Sequence, residues 1–299
     1  MNDAAQVLRE FAPRHPYFVG IDSDGCVFDS MEIKHKECFT PMFIKHFGLQ
    51  AVARYAREVW EFVNLYSKTR GINRYPALSN ALTLLAERPE VAARGVRVPG
   101  TDDLDAWMAR EPQHSLSTLR AEVETRGNEA LGPVLEWSLA VDRQIQDIVH
   151  GVPPFPGVRE CLARLEGQAD AMVISQTPGA ALSREWAEHA LANQVALIAG
   201  QELGSKKEHL RAAAGGKYPP GQVLMIGDAP GDFTAAKTNL ALFYPIIPGR
   251  EEVSWQRLLS EGLDAFFANQ YAGDYESALV REFNASLPER PPWQSMGRG

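Results

Sequence analysis

Residues 17–30, YFVGIDSDGCVFDS, constrain what this chain can fold into more than any other stretch. Tyr17, Phe18, Val19 and Ile21 follow Pro16 as a short run of aromatic and β-branched residues, the pattern of a strand buried on both faces. The run ends in Asp22-Ser23-Asp24-Gly25. Open α/β sheets bind ligands at the carboxyl ends of their strands, so two carboxylates and a glycine there mark a candidate site. With Asp22 closing the strand and Asp24 on the turn beyond it, both side chains reach one crevice. The alternative is an Asx-type turn, in which the aspartates only bond neighbouring N–H groups. Polar groups at the ends of other strands decide between the two.

The rest of the chain supplies those strands after a long interruption. From residue 31 to about residue 150 the pattern is helical. Val52, Tyr55, Ala56, Val59, Phe62, Val63 and Tyr66 recur at three- and four-residue spacing, as do Leu131, Val134, Ser138, Val141, Ile145 and Ile148. Each set forms one apolar helix face. Pro41 is expected to kink or end the helix that begins near Glu32. At residues 151–157, GVPPFPG, three prolines and two glycines break the pattern. Beyond them, apolar runs at 171–174, 195–198, 223–226 and 240–244 alternate with helices near 158–166, 206–214 and from Gly231. That alternation predicts βαβ units and a parallel sheet. The fold class is therefore α/β, with a discontinuous core of residues 1–30 and 151–299 and an all-helical insert over 31–150. Residues 3–11 are expected to form a short amphipathic helix with Val7, Leu8 and Phe11 on one side. The tail beyond Leu287 is expected to be mobile.

Composition narrows the chemistry. The net charge is −8 and no basic run stands out, so neither nucleic acid nor an anionic membrane is the expected partner. No apolar run approaches a membrane span. The three cysteines, Cys26, Cys38 and Cys161, are far apart and form no CxxC, which fits a reducing cytoplasm. The histidines show no HxxxH spacing for zinc. Neither a Walker A sequence nor GxGxxG is present.

Three further strand ends and loops carry polar groups. Val173-Ile174 runs into Ser175-Gln176-Thr177, Leu224-Met225-Ile226 runs into Gly227-Asp228-Ala229-Pro230-Gly231-Asp232, and Gly204-Ser205-Lys206-Lys207 opens a helix. Brought to one sheet, they make a site of four carboxylates, a hydroxyl and an ammonium, a set that suits phosphoryl transfer. Carboxylate oxygens suit Mg²⁺, which Asp22 and Asp228 can share. A carboxylate can attack phosphorus, while a hydroxyl, backbone N–H groups and a lysine hold the other phosphoryl oxygens. Asp24 can serve as general acid and base. Leu210, four residues after Lys206, favours Lys206 over the adjacent Lys207. Thr177 remains an alternative to Ser175, and Asp232 an alternative helix N-cap.

These motifs, DSDG after an apolar strand, a strand ending in Ser, a lysine opening a helix, and GDAPGD, resemble in kind and order the four motifs of the haloacid-dehalogenase-like hydrolase superfamily. The resemblance covers roughly residues 16–30 and 151–247. It implies a Rossmann-like core with an inserted helical cap, Asp22 as nucleophile and metal ligand, and Asp24 as general acid/base that also gives its carbonyl to the metal. It further implies phosphate binding by Ser175, Gln176 and Lys206, and Mg²⁺ held with the help of Asp228 and Asp232. Cys26 stands where the family commonly has Thr, and the lysine is not followed by Pro.

The function implied is an Mg²⁺-dependent phosphatase acting on a small phosphorylated metabolite through an aspartyl-phosphate. A sugar-phosphate phosphomutase on the same core and a non-catalytic phospho-ligand-binding protein are the alternatives. A dehalogenase or phosphonate-cleaving branch fits less well because Asp24 is present. In the insert, the turn at residues 67–75 carries Arg70, Asn73 and Arg74, which are expected either to grip the leaving group or to form a solvated basic turn.

Overall fold

Five short apolar segments pair as one parallel sheet: β1 (Tyr17–Ile21), β2 (Ala169–Ile174), β3 (Leu197–Ala199), β4 (Val223–Gly227) and β5 (Leu242–Pro245), in the order β3-β2-β1-β4-β5. These come from a computed structural model that describes residues 5–295. Central strands of a parallel sheet are covered on both faces, hence the apolar runs of β1 and β4 and of β2, where the single carboxylate, Asp170, is buried and bonded by the Arg14 and His15 N–H groups and the Tyr218 hydroxyl. Val19 and Ile21 join Val158, Leu162, Trp186 and Trp255 in one apolar layer. Phe18, Met172 and Met225 join Leu210, Ala213, Ala236 and Phe283 in the other.

Register positions the site. Ile21 pairs with Val173 of β2 and Ile226 of β4, so the chain leaves these three strands at the same level. After β1 the sheet grows one way through β2 and β3; β4 and β5 then add on the other side of β1. The strand order thus reverses between β1 and β4, the place where sheets of this kind open a crevice.

By its contacts the chain divides into two units. The sheet unit joins the N-terminal segment up to Met31 to Gly151–Leu287, and the other joins Glu32–His150 to the chain from Pro288 onward. The second unit contains helices and no strand among its described residues. Its core is aromatic: Trp60, Trp107, Trp137, Tyr75 and Phe43 are all buried. Truncating one such ring to Ala costs ~3–5 kcal/mol. Helices Ala53–Asn64 and Gly132–Ile148 supply Trp60 and Trp137, whose rings meet edge to face at 5.7 Å.

Several local expectations need correcting. Of the two outcomes expected at Pro41, a kink or an end, the end does not occur. The chain widens into a π-helical stretch at Lys34–Phe39 and continues as Thr40–His46. The wide turn accommodates a proline that lacks the donor an α-helix needs, and Thr40 bonds the His35 carbonyl through both its N–H and its hydroxyl. Leu240 is not in a strand. It closes helix Pro230–Thr238 in the left-handed position usually taken by glycine, at φ 56°, with the Ala241 N–H returning to the Ala236 carbonyl. The N-terminal helix spans only Gln6–Arg9, with Leu8 buried and Val7 exposed; residue 3 lies outside the described residues. The tail is packed rather than loose as far as it is described. Trp293 stacks at 4.5 Å on the Arg88 guanidinium and meets Phe62 edge to face. Arg88 is buried and ion-paired with Glu58 at 2.7 Å and Glu90 at 3.3 Å. No helix among the described residues is long and apolar enough to cross a membrane.

Candidate active site

Asp22 extends β1 by one residue, its N–H bonding the Ile226 carbonyl at 3.0 Å. The chain then turns tightly. The Ser23 carbonyl accepts from Cys26, Val27 and Phe28, and Gly25 supplies the left-handed residue, φ 73°, that closes the turn. Asp22 and Asp24 are both presented by this turn. The Asp24 carboxylate is held on both oxygens, Oδ1 by the Ser30 hydroxyl and Oδ2 by the Thr177 hydroxyl at 2.5 Å.

Asp228 follows β4 and Asp232 lies in the first turn of helix Pro230–Thr238. Asp232 is not the N-cap residue, a position held by Ala229. Instead Asp232 reaches back, its Oδ2 accepting from the Ala229 N–H at 3.1 Å, while Oδ1 faces Lys206. Gly227 makes this possible: a Cβ there would lie 2.4 Å from Asp232 Cβ and Cγ. Lys206 is the first residue of helix Lys206–Ala214, started by a Ser205–Glu208 capping box. Leu210 is buried beneath that helix. Lys206 Nζ donates to Asp22 Oδ2 at 2.6 Å and to Asp232 Oδ1 at 2.7 Å. Lys207 is exposed.

Asp22, Asp228 and Asp232 are all buried, and each offers an oxygen within 4.8 Å of the others. Burial pushes the Asp22 carboxyl up from 3.8 to about 6, with Lys206 opposing the shift and Asp232 adding to it. Burial likewise raises Asp232. For Lys206, burial disfavours the charge, but the surrounding carboxylates outweigh it and raise its pKa. Formally, three carboxylates face one ammonium. Hard oxygen donors converging with excess negative charge fit a divalent cation such as Mg²⁺, and the Asp24 carboxylate is not part of that group.

The phosphate-binding candidates separate. Ser175 follows β2 directly and is buried, and its hydroxyl accepts from the Thr177 N–H at 3.2 Å. Gln176 is exposed, and its Nε2 donates to the Gly204 carbonyl at 3.0 Å, tying this loop to the one before Lys206. The structure brings Asp22, Asp228, Asp232 and Lys206 into direct contact or close approach, with Asp24 tied to the Ser175–Thr177 loop. Ser30 was missed from sequence; a lone serine after a motif carries no signal.

The residues of the basic turn make their bonds within the helical unit. Arg70 is buried, donating to the Leu65 carbonyl at 2.9 Å. Asn73 is the N-cap of helix Arg74–Ala86, accepting from the Tyr75 N–H at 3.0 Å and donating to the His114 carbonyl at 2.8 Å. Arg74 pairs with Asp142 at 2.7 Å, bonds Ser138 and covers the Phe39 ring. Asn73 thus starts that helix, and Arg74 ties it to helix Gly132–Ile148.

Solved structures similar to this chain include haloacid-dehalogenase-like hydrolases. A family protein of that kind from Streptococcus pneumoniae shares 12% identity over 80% of this chain and 90% of its own, with a TM-score of 0.48. A predicted phosphoglycolate phosphatase from Haemophilus somnus shares 14%, covering 78% and 86%, at 0.47. A putative beta-phosphoglucomutase from Bacteroides vulgatus shares 14%, covering 92% of both chains, at 0.43. No protein-family model matches the sequence, and comparison with curated protein sequences finds no match.

Proposed function

We propose that this chain is an Mg²⁺-dependent phosphatase that hydrolyses a small phosphomonoester through an aspartyl-phosphate on Asp22. The observation that carries the reading is the meeting of Asp22, Asp228, Asp232 and Lys206 at the ends of β1 and β4. Asp22, Asp228 and Asp232, with the Asp24 carbonyl, would hold Mg²⁺, which when bound offsets the repulsion between carboxylate and phosphate. Lys206 orients the Asp22 carboxylate and, with the Ser175 hydroxyl, receives the phosphoryl oxygens. The Asp22 carboxylate attacks phosphorus as the bond to the leaving oxygen breaks, and Asp24 gives that oxygen its proton. Asp24 then takes a proton from water as the water attacks phosphorus, breaking the bond to Asp22 and releasing inorganic phosphate. The helical unit is, on this reading, the cap that selects the leaving group.

The test is hydrolysis of p-nitrophenyl phosphate and of a panel of phosphorylated metabolites, with and without Mg²⁺ after EDTA. Metal-dependent release of phosphate, abolished in a folded Asp22→Asn protein, is the expected result. Turnover by Asp22→Asn, or none by wild type across the panel, overturns the reading.

A further inference from the structure

Ser23 stands between the two aspartates of the turn, yet its side chain makes its own set of bonds. It is fully buried. Its hydroxyl accepts from the Trp186 indole N–H at 3.0 Å and donates to Glu185 Oε2 at 3.4 Å. Both partners belong to helix Gly179–Glu188, where Trp186 is also fully buried and meets Phe28, at the far end of the same turn, edge to face at 5.8 Å. Two residues before this helix, Thr177 bonds the Asp24 carboxylate. The helix start is itself anchored, the Gly179 N–H donating to Glu202 Oε2 at 3.0 Å. The helix and the loop leading into it therefore hold the turn at Ser23 and at Asp24. Ser23's neighbours are the proposed nucleophile and the proposed acid/base. Its orientation sets theirs, because the Ser23 carbonyl receives three of the N–H groups that define the turn.

We propose that Ser23 and Trp186 are positioning residues: their hydrogen bond fixes the angle at which the turn presents Asp22 and Asp24 to phosphorus. This rests on the phosphatase reading above. A buried indole N–H also needs an acceptor for stability alone, and the experiment separates the two roles. Deleting one partner of a buried hydrogen bond leaves the other unsatisfied, whereas removing both restores much of the stability. Ser23→Ala, Trp186→Phe and the double variant are compared for Tm, kcat and KM with p-nitrophenyl phosphate, beside Asp22→Asn. In the double variant, Tm returns towards wild type, while kcat stays about tenfold or more down, as small misplacements of reacting groups are costly. KM stays within about twofold, because the phosphate contacts are intact. Wild-type kcat in any folded variant of the set overturns the proposal and leaves the bond a packing feature. Should Ser23→Ala or the double variant not fold, Trp186→Phe, which removes the N–H together with part of the buried ring volume, decides it by the same split of kcat from KM. Turnover by Asp22→Asn instead overturns the parent reading.

Discussion

The Lys206 ammonium bridges Asp22 Oδ2 at 2.6 Å and Asp232 Oδ1 at 2.7 Å, joining the end of β1 to the helix that follows β4. A single lysine cannot balance Asp22, Asp228 and Asp232 together, so it orients the group while leaving it net negative. Truncating it leaves buried carboxylates facing one another.

Lys206→Met should therefore lower kcat by about 10²–10³, the scale for losing one preorganised electrostatic partner of a reacting group. Lys207→Met should leave kcat and KM at wild-type values, since Lys207 is exposed. Steady-state kinetics on the two purified variants checks the pair; equal losses would show that the lysine assignment is wrong.

Metal and proton should compete. Asp22 is pushed up to about 6 from 3.8, so the folded protein keeps this proton to higher pH than the unfolded chain does. The sign follows: Asp22 lowers stability as pH rises from 3.8 through about 6. A divalent cation removes that penalty at higher pH. At a hundredfold excess over Kd, Mg²⁺ should add ~2.7 kcal/mol, a Tm rise of about 5–10 °C near pH ~7.5 and much less near pH ~5. Thermal melts with and without EDTA at the two pH values measure it. An unchanged Tm at both would remove the ion from this group.

Gly227→Ala tests the close approach beside the acidic group. Its Cβ would stand 2.4 Å from Asp232 Cβ, so Asp232 must move and lose either Lys206 or the Ala229 N–H. Overpacking of this kind costs ~1–3 kcal/mol, and the Tm loss should come with a weaker response to Mg²⁺. A variant with wild-type Tm and activity would mean that the helix shifts at no cost.

Asn73→Ala asks whether the basic turn serves the helical unit's stability or its substrate recognition. As the N-cap of helix Arg74–Ala86, its loss should cost ~1 kcal/mol. KM for any phosphorylated substrate should not change. A raised KM with unaltered stability would return this turn to substrate recognition.

Much of the fold was legible because it rests on local periodicity. The buried run before Asp22 is a continuous apolar stretch set by burial on both faces, and beyond residue 157 such stretches alternate with period-3.6 helical patterns. The helical insert was legible for the same reason. Boundaries were less so. Leu240 looks like strand by composition, yet it closes a helix, because the return of the Ala241 N–H depends on the helix before it and not on the leucine. Arg70, Asn73 and Arg74 look like an anion grip by charge. Their partners, Leu65, His114 and Asp142, come from elsewhere in the helical unit, and sequence spacing does not say which cation finds an internal acceptor.

By itself, the sequence determined the chemical types at each strand end: carboxylates at 22, 24, 228 and 232, a hydroxyl at 175 and lysines at 206 and 207. Residue type and local pattern are short-range properties, readable without coordinates. Only the tertiary structure decided which of them meet. The parallel register that levels Ile21 with Val173 and Ile226, the glycine at 227 that lets Asp232 close in, and the helix phase that turns Lys206 inward and Lys207 outward are relations between elements far apart in the chain. The same is true of the Ser23–Trp186 bond, made across 163 positions of sequence separation. Such contacts are selected by how whole layers pack, and packing is a property of the assembled sheet and helices.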